Sequence, residues 1–313
     1  QQHSGSLPMH LPADATLSWQ TLRSLNPGPR LIVTGAVHGV ETCGTRAIHR
    51  LQAEIADGRH QLRRGQLTLL PVCNPLAFRM GRREGEGDLN RKLKLRTSPA
   101  SFEEHVANVL CPLLLEHDVL LDLHSFQSHG QAFVVLGPAD PFVKSREEVE
   151  LARHLGVSRF VEGTPIQTDV PVPPEGGAST ANFMRANGRY GVTLECGQHG
   201  DPAAPEIAYR AILNALALYA LIDAPAPVPA VEPVSVRYRQ TINRRGAADR
   251  FCRAWQSFDA VAAGELVGTF CDGEELRADR DAYLLFPDPL AKPGTEWIYF
   301  AGAGERFLPG HTG

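Results

Sequence analysis

LIVTGAVHGVETCG, residues 31–44, decides how the rest of the chain is read. Leu31–Gly35 is an apolar run of strand length that stops at glycine. A tight loop with His38 and Glu41 follows. From Glu41 to Ile55 the residues Ala47, Ile48, Leu51 and Ile55 share one helical face. Strand, loop and helix in that order open an α/β unit. His38 and Glu41 form an H-x-x-E pair, and imidazole nitrogen and carboxylate oxygen bind zinc at similar distances. The pair also fits a plain strand-end histidine beside a glutamate favoured at a helix N-terminus. A catalytic zinc needs a third protein ligand and an open position, so the rest of the sequence decides between the two.

The alternation continues outward. Gln66–Val72 (QLTLLPV) reads as a strand, closed by the turn signal Cys73-Asn74-Pro75. Phe78–Lys94 reads as a Gly-rich loop that gathers Arg79, Arg82, Arg83, Arg91 and Lys92. Ser101–Leu115 reads as a helix with Ser101 as cap and Glu104 as its capping-box partner. Val119–Leu123 is a strand ending at His124, and Ala132–Leu136 is another. Helix is expected at Glu147–Leu155, a Pro- and Gly-rich loop at Thr164–Gly177, and a short helix at Ser179–Asn187 closed by Gly188. Gly191–Leu194 is a buried strand ending at Glu195, and Ala204–Ile222 is a long apolar helix.

This order predicts a mixed, mainly parallel sheet with helices on both faces. Ligands then sit beyond the carboxyl ends of the strands. His38, His124 and Glu195 each follow an apolar run, so all three fall at that end. The Pro-rich stretch 224–233 (APAPVPAVEP) reads as a linker. It divides residues 1–223, the α/β domain, from residues 234–313, a small β-rich domain. Strands are expected there at Val234–Arg239, Glu265–Phe270, Ala282–Phe286 and Trp297–Phe300.

Composition narrows the classes. The 313 residues are 43% hydrophobic and 21% charged, enough for a sizeable core. A net charge of -4 argues against a nucleic-acid binder. No run of 18 apolar residues occurs, so no membrane span is expected, and QQHSGSLPMHLP has neither part of a secretion signal. Six cysteines with no C-x-x-C pair read as small buried hydrophobes in a reduced, cytoplasmic protein.

Four motifs in order, H-x-x-E, D-L-N-R (Asp88 to Arg91), strand-His124 and strand-Glu195, resemble the succinylglutamate desuccinylase/aspartoacylase family, relatives of the zinc carboxypeptidases. The resemblance covers about Leu31 to Ile222, and more loosely the β-rich part. It implies a zinc-carboxypeptidase-like domain with one zinc on His38, Glu41 and His124. It implies Glu195 as general base and acid, and Asn90 and Arg91 on a substrate carboxylate. Asp88 would orient His38, and Arg83, eight residues before Arg91, would polarise the scissile carbonyl. Arg185, ten residues before Glu195, matches by spacing an arginine that meets a second carboxylate in aspartoacylases. The implied activity is zinc-dependent removal of an acyl group from a small anionic N-acyl amino acid, with acidic substrates preferred. A metallocarboxypeptidase, an ester hydrolase or a non-catalytic binding protein are the alternatives.

Other residues are read more plainly. Arg79, Arg82 and Arg96 fit solvated loop charges. Asp122 fits either a carboxylate orienting a ligand or a hydrogen-bonded structural one. His129 and His199 fit structural or solvated histidines, His117 and Asp118 fit helix-end residues, and Cys196 fits packing. Tyr283 and Tyr299 are the candidates for a tyrosine reaching the pocket from the β-rich part.

Overall fold

The structure is a computed structural model that describes residues 16–138, 144–163 and 177–308. The loop expected at 164–176 lies outside them. The first part runs β1 (Gln20–Arg23), β2 (Arg30–Gly35), α1 (Cys43–Ala56), β3 (Gln66–Leu70) and α2 (Pro75–Met80). A 3-10 turn at Leu89–Arg91 follows, then α3 (Phe102–Leu115), β4 (Val119–Phe126) and β5 (Phe133–Leu136). Next come α4 (Ser145–His154), β6 (Arg159–Glu162), α5 (Thr180–Ala186), β7 (Tyr190–Gln198) and α6 (Ala204–Leu218). The remainder is strand only among the described residues: β8 (Val234–Asn243), β9 (Arg250–Phe251), β10 (Ala260–Val261), β11 (Leu266–Thr269), β12 (Glu275–Arg277), β13 (Ala282–Leu285) and β14 (Glu296–Ala303).

Eleven of these strands form one mixed sheet in the order β1-β3-β2-β4-β7-β5-β6-β8-β14-β13-β10. Its centre, β3-β2-β4-β7, is parallel. β5 then runs antiparallel to β7. The change of composition at 224–233 coincides with the end of the helices, yet β8 pairs in parallel with β6. The C-terminal strands therefore extend the first sheet, and only β12-β11-β9 form a separate small one. β6, with the sequence RFVE, is too short and too charged at its ends to stand out in the sequence, but it joins the two parts.

Alternation along the central strands sorts the side chains. Leu121, Leu123, Val192 and Leu194 point to one face and pack with residues of α1, α4 and α6. Each is fully buried, a contribution of about 1.5–3 kcal/mol per side chain. On the other face Ile32, Leu70 and Leu120 pack with α3 and Met184 of α5. Farther along that face Phe126, Phe133 and Val161 pack instead with Val236, Leu285 and Tyr299 from the C-terminal strands.

Several boundaries move. β4 and β7 run on past His124 and Glu195, which are Cα partners within the ladder, with an irregularity after His124. A bulge of this kind re-aims side chains beside a site. Phe78 belongs to α2, whose Asn74 cap accepts from Ala77 N. Ser101 caps α3 as expected, but Glu104 returns to Ala100 N at 2.7 Å, one residue earlier than a capping box requires.

Candidate metal centre and its surroundings

β2 ends at Gly35, and Ala36 takes a left-handed φ of 46° that turns the chain toward α2. At Gly39 a Cβ would lie 2.1 Å from the Ala77 carbonyl carbon, so only glycine lets the loop pass α2 this closely. The turn brings His38 and Glu41 together: His38 Nδ1 lies 2.8 Å from Glu41 Oε1. The other Glu41 oxygen lies 2.8 Å from Nδ1 of His124 on β4. Ligand atoms of His38, Glu41 and His124 all lie within 4.8 Å of one another, and all three residues are buried.

Each imidazole is held from behind. His38 Nε2 faces Asp88 Oδ1 at 3.1 Å. His124 Nε2 faces Asp122 Oδ2 at 2.9 Å. Asp122 also accepts from Thr34 Oγ1 at 2.6 Å and from Thr180 Oγ1 of α5, so it is both a structural carboxylate and the partner of His124. A carboxylate on the far nitrogen fixes ring orientation and raises ligand basicity, leaving both Nδ1 atoms for a metal.

The charges fit a cation. Burial raises the Glu41 carboxyl, but His38 and His124 outweigh it and hold it well below the usual range. Burial lowers the His124 imidazole, but Asp122 and Glu41 outweigh it and raise it well above the usual range. Glu195 is buried beside His124, and burial pushes its carboxyl well above the usual range, with Glu41 adding to the rise. Glu195 Oε2 has no hydrogen-bond partner among the described residues. Two forward-facing imidazoles, a carboxylate between them and an orphaned acceptor nearby suit zinc and a reacting group.

Arg83 faces this cluster, 3.4 Å from Glu41 and 3.4 Å from Asp88. Burial works against its charge, but Asp88, Glu41, Tyr299 and Glu195 outweigh it. It is crowded by protein, yet 49% of its side-chain surface is open, as in a concave site. Arg91 and Asn90 stand on the 3-10 turn that Asp88 caps. Arg91 is half-buried and donates to the Asn90 carbonyl at 3.1 Å, while Asn90 Oδ1 accepts from Thr180 N. The Tyr299 phenol from β14 lies within electrostatic reach of Arg91 and Arg83. Tyr283, partner of Ala260 and Ala301 in the ladder, packs against the same aromatic cluster as Tyr299.

Arg185 requires a correction. Its Nε pairs with buried Glu148 of α4, Nη1 donates to Asn182 Oδ1 at 2.7 Å and Nη2 to the Gly191 carbonyl at 2.8 Å. These partners lie under α5, not in the histidine cluster, and a residue spacing could not reveal Glu148. Arg96 is corrected too. It is 13% exposed and braces Lys92 O, Lys94 O and Glu104.

His199 was undervalued by sequence. Its Nδ1 lies 2.8 Å from Ser125 Oγ, next to His124, within electrostatic range of Glu41, Arg83 and His38. His129 is exposed. Cys43, Cys73, Cys111 and Cys196 are buried, whereas Cys252 and Cys271 are exposed, and all six are unpaired. No described helix is long and apolar enough to cross a membrane.

A mixed α/β sheet with a metal-competent cluster along its central strands defines the class. Residues 27–222, more than half of the chain, match the succinylglutamate desuccinylase/aspartoacylase catalytic domain. The chain belongs to that family of deacylating hydrolases. It is 28% identical over 182 residues to a probable aspartoacylase of Nostoc sp. (strain PCC 7120 / SAG 25.82 / UTEX 2576). That match spans 55% of this chain and 56% of the relative, about half its length. Among solved structures, the product-bound ectoine utilization protein EutE (DoeB) from Ruegeria pomeroyi superposes with a TM-score of 0.74 at 21% identity, over 91% of this chain and 88% of that one. A succinylglutamate desuccinylase/aspartoacylase from Rhodobacter sphaeroides gives 0.71 at 19%, over 93% and 90%. These likenesses extend the shared fold into the C-terminal strands.

Proposed function

We propose that the chain is a zinc-dependent deacylase of small N-acyl amino acids, with His38, Glu41 and His124 holding the ion. The observation that carries this is the pair of Nδ1 atoms flanking Glu41, each imidazole backed by its own aspartate. A bound zinc supplies Lewis acidity and makes water nucleophilic near neutral pH. Glu195 takes the proton of the attacking water and delivers it to the leaving nitrogen as the amide C–N bond breaks. Arg83 meets the oxygen on which negative charge develops. Arg91, with the Asn90 amide, holds the carboxylate of the amino acid, since a guanidinium fork matches carboxylate geometry.

Peptide substrates are disfavoured because Tyr299 of the C-terminal strands lies within electrostatic range of the arginine pair and narrows the space there. Six unpaired cysteines support a reducing, cytoplasmic setting. The test is zinc analysis of the purified protein together with release of free amino acid from a panel of N-acyl compounds. About one zinc per chain and amine release are expected for a site of this kind. Turnover in fully metal-free protein, or cleavage of peptides in preference to acyl amino acids, would refute the reading.

A further inference from the structure

Aromatic side chains begin where the polar cluster ends. Phe133 of β5 is the Cα partner of Glu195, because β5 enters the sheet antiparallel to β7. Directly paired residues share a face, so the Phe133 ring flanks the Glu195 carboxyl. Phe126, two residues beyond His124, stacks on Phe133 with centroids 5.5 Å apart. Phe286 closes on Phe133 at 5.1 Å and on Tyr299 at 5.7 Å. Tyr299 in turn lies within electrostatic range of Arg83 and Arg91. An aromatic cluster therefore runs from beside Glu195 toward the arginine pair.

Two members are held in an unfavourable backbone conformation. Phe286 has φ 47° and Phe258, whose ring lies 5.4 Å from Phe133, has φ 73°. For bulky residues this region of backbone space is unfavourable. Both rings stay partly exposed, whereas a cluster that served only as core would bury them. The strain holds apolar surface at an accessible place.

A second substrate carboxylate would need a second cation, and the arginines of the described residues considered for that role are engaged elsewhere. Residues 1–15, 139–143, 164–176 and 309–313 contain no Lys or Arg. Arg185 is committed to Glu148. Arg159, over the Phe258 ring, donates to Gln131 Oε1 at 2.7 Å. Arg306 is buried on Gly137 and Ser145.

We infer that the substrate is an N-acyl amino acid with an apolar, preferably aromatic, side chain, lodged against Phe286 and Tyr299, with buried Phe133 behind them. This rests on the proposed function and sharpens it. The leaving nitrogen lies at Glu195 and the carboxylate at Arg91, so the α-carbon lies between them and its side chain meets the wall that joins them. Burying a carboxylate against these rings with no partner cation is disfavoured.

The test separates recognition from catalysis. Calorimetry on zinc-loaded Glu195→Gln compares N-acetyl-L-phenylalanine with N-acetyl-L-aspartate, and kcat/KM is measured on the unmutated enzyme. The phenylalanine compound should bind about 10- to 200-fold more tightly, the range a well-filled apolar pocket gives. Phe286→Ala should shrink that ratio, and Phe286→Leu, which keeps bulk, should retain most of it. Equal or tighter binding of the aspartate compound, or no binding of the phenylalanine compound, overturns the inference. Selective binding with no turnover by the unmutated enzyme supports it while refuting the deacylase reading.

Discussion

On the face of the sheet that carries His124, the part around His38, Glu41 and Asp122 is polar and the part under the C-terminal strands is aromatic. The polar half is built from near neighbours in sequence: His38 with Glu41, Asp122 with His124, Asp88 with Asn90 and Arg91. The aromatic half draws Phe126 and Phe133 from one part of the chain and Phe286 and Tyr299 from another. Groups that must meet at fixed angles are placed by short turns and adjacent strand positions. Groups that supply bulk can come from anywhere the fold brings apolar surface.

Four measurements would break or sharpen that contrast. The largest effect on turnover is expected at Glu195, where the halves meet. Glu195→Gln should lower kcat by about 10² to 10⁴ while zinc content stays at the level of the unmutated protein. Near-normal turnover in that variant would make Glu195 a structural carboxylate and dissolve the boundary.

Next comes the Arg185–Glu148 pair, which lies behind both halves. Arg185→Ala leaves Glu148 buried without its partner and should cost about 3–5 kcal/mol of stability in denaturant unfolding. The ratio of acidic to apolar substrates should not move. A changed ratio with unchanged stability would return Arg185 to the pocket.

A smaller effect is expected within the polar half. Asp122→Asn and Asp88→Asn weaken the hold on His124 and His38 and should lower zinc affinity about 10- to 100-fold, read by competition with a chelator. The binding ratio set by the aromatic wall should persist. If these changes also erased it, the halves would form one unit.

The gentlest probe is pH. In metal-free protein Asp122 and Glu41 raise His124 above its unfolded value. The resulting stability is complete below the unfolded pKa, near 6.5 for histidine, and is lost as pH rises through the higher folded value. The proton competes with the ion, so zinc affinity should increase with pH over that window. Zinc titrations showing no pH dependence there would mean His124 is not a ligand.

Much of the polar half was legible in the sequence because its order is local. H-x-x-E, D-L-N-R and two apolar runs ending in His124 and Glu195 named the residues, and strand period placed them on one face. Those features also carried the family. The Pro-rich stretch marked where helices stop, but not that β8 would dock on β6 and continue the sheet.

What only the tertiary structure decided depends on contacts far apart in the chain. Spacing put Arg185 ten residues before Glu195, yet a helix turns a side chain by about 100° per residue, and Glu148 of α4 captured it. Asp122 could be read two ways until Thr34, Thr180 and His124 were seen to converge on it. Phe133 gave no signal, because nothing in its own segment says that β5 runs against β7 and sets the ring beside Glu195. Sequence determined which groups can do chemistry. Strand direction and helix packing determined what surrounds them, since those follow from burying the whole apolar surface at once and not from any one segment.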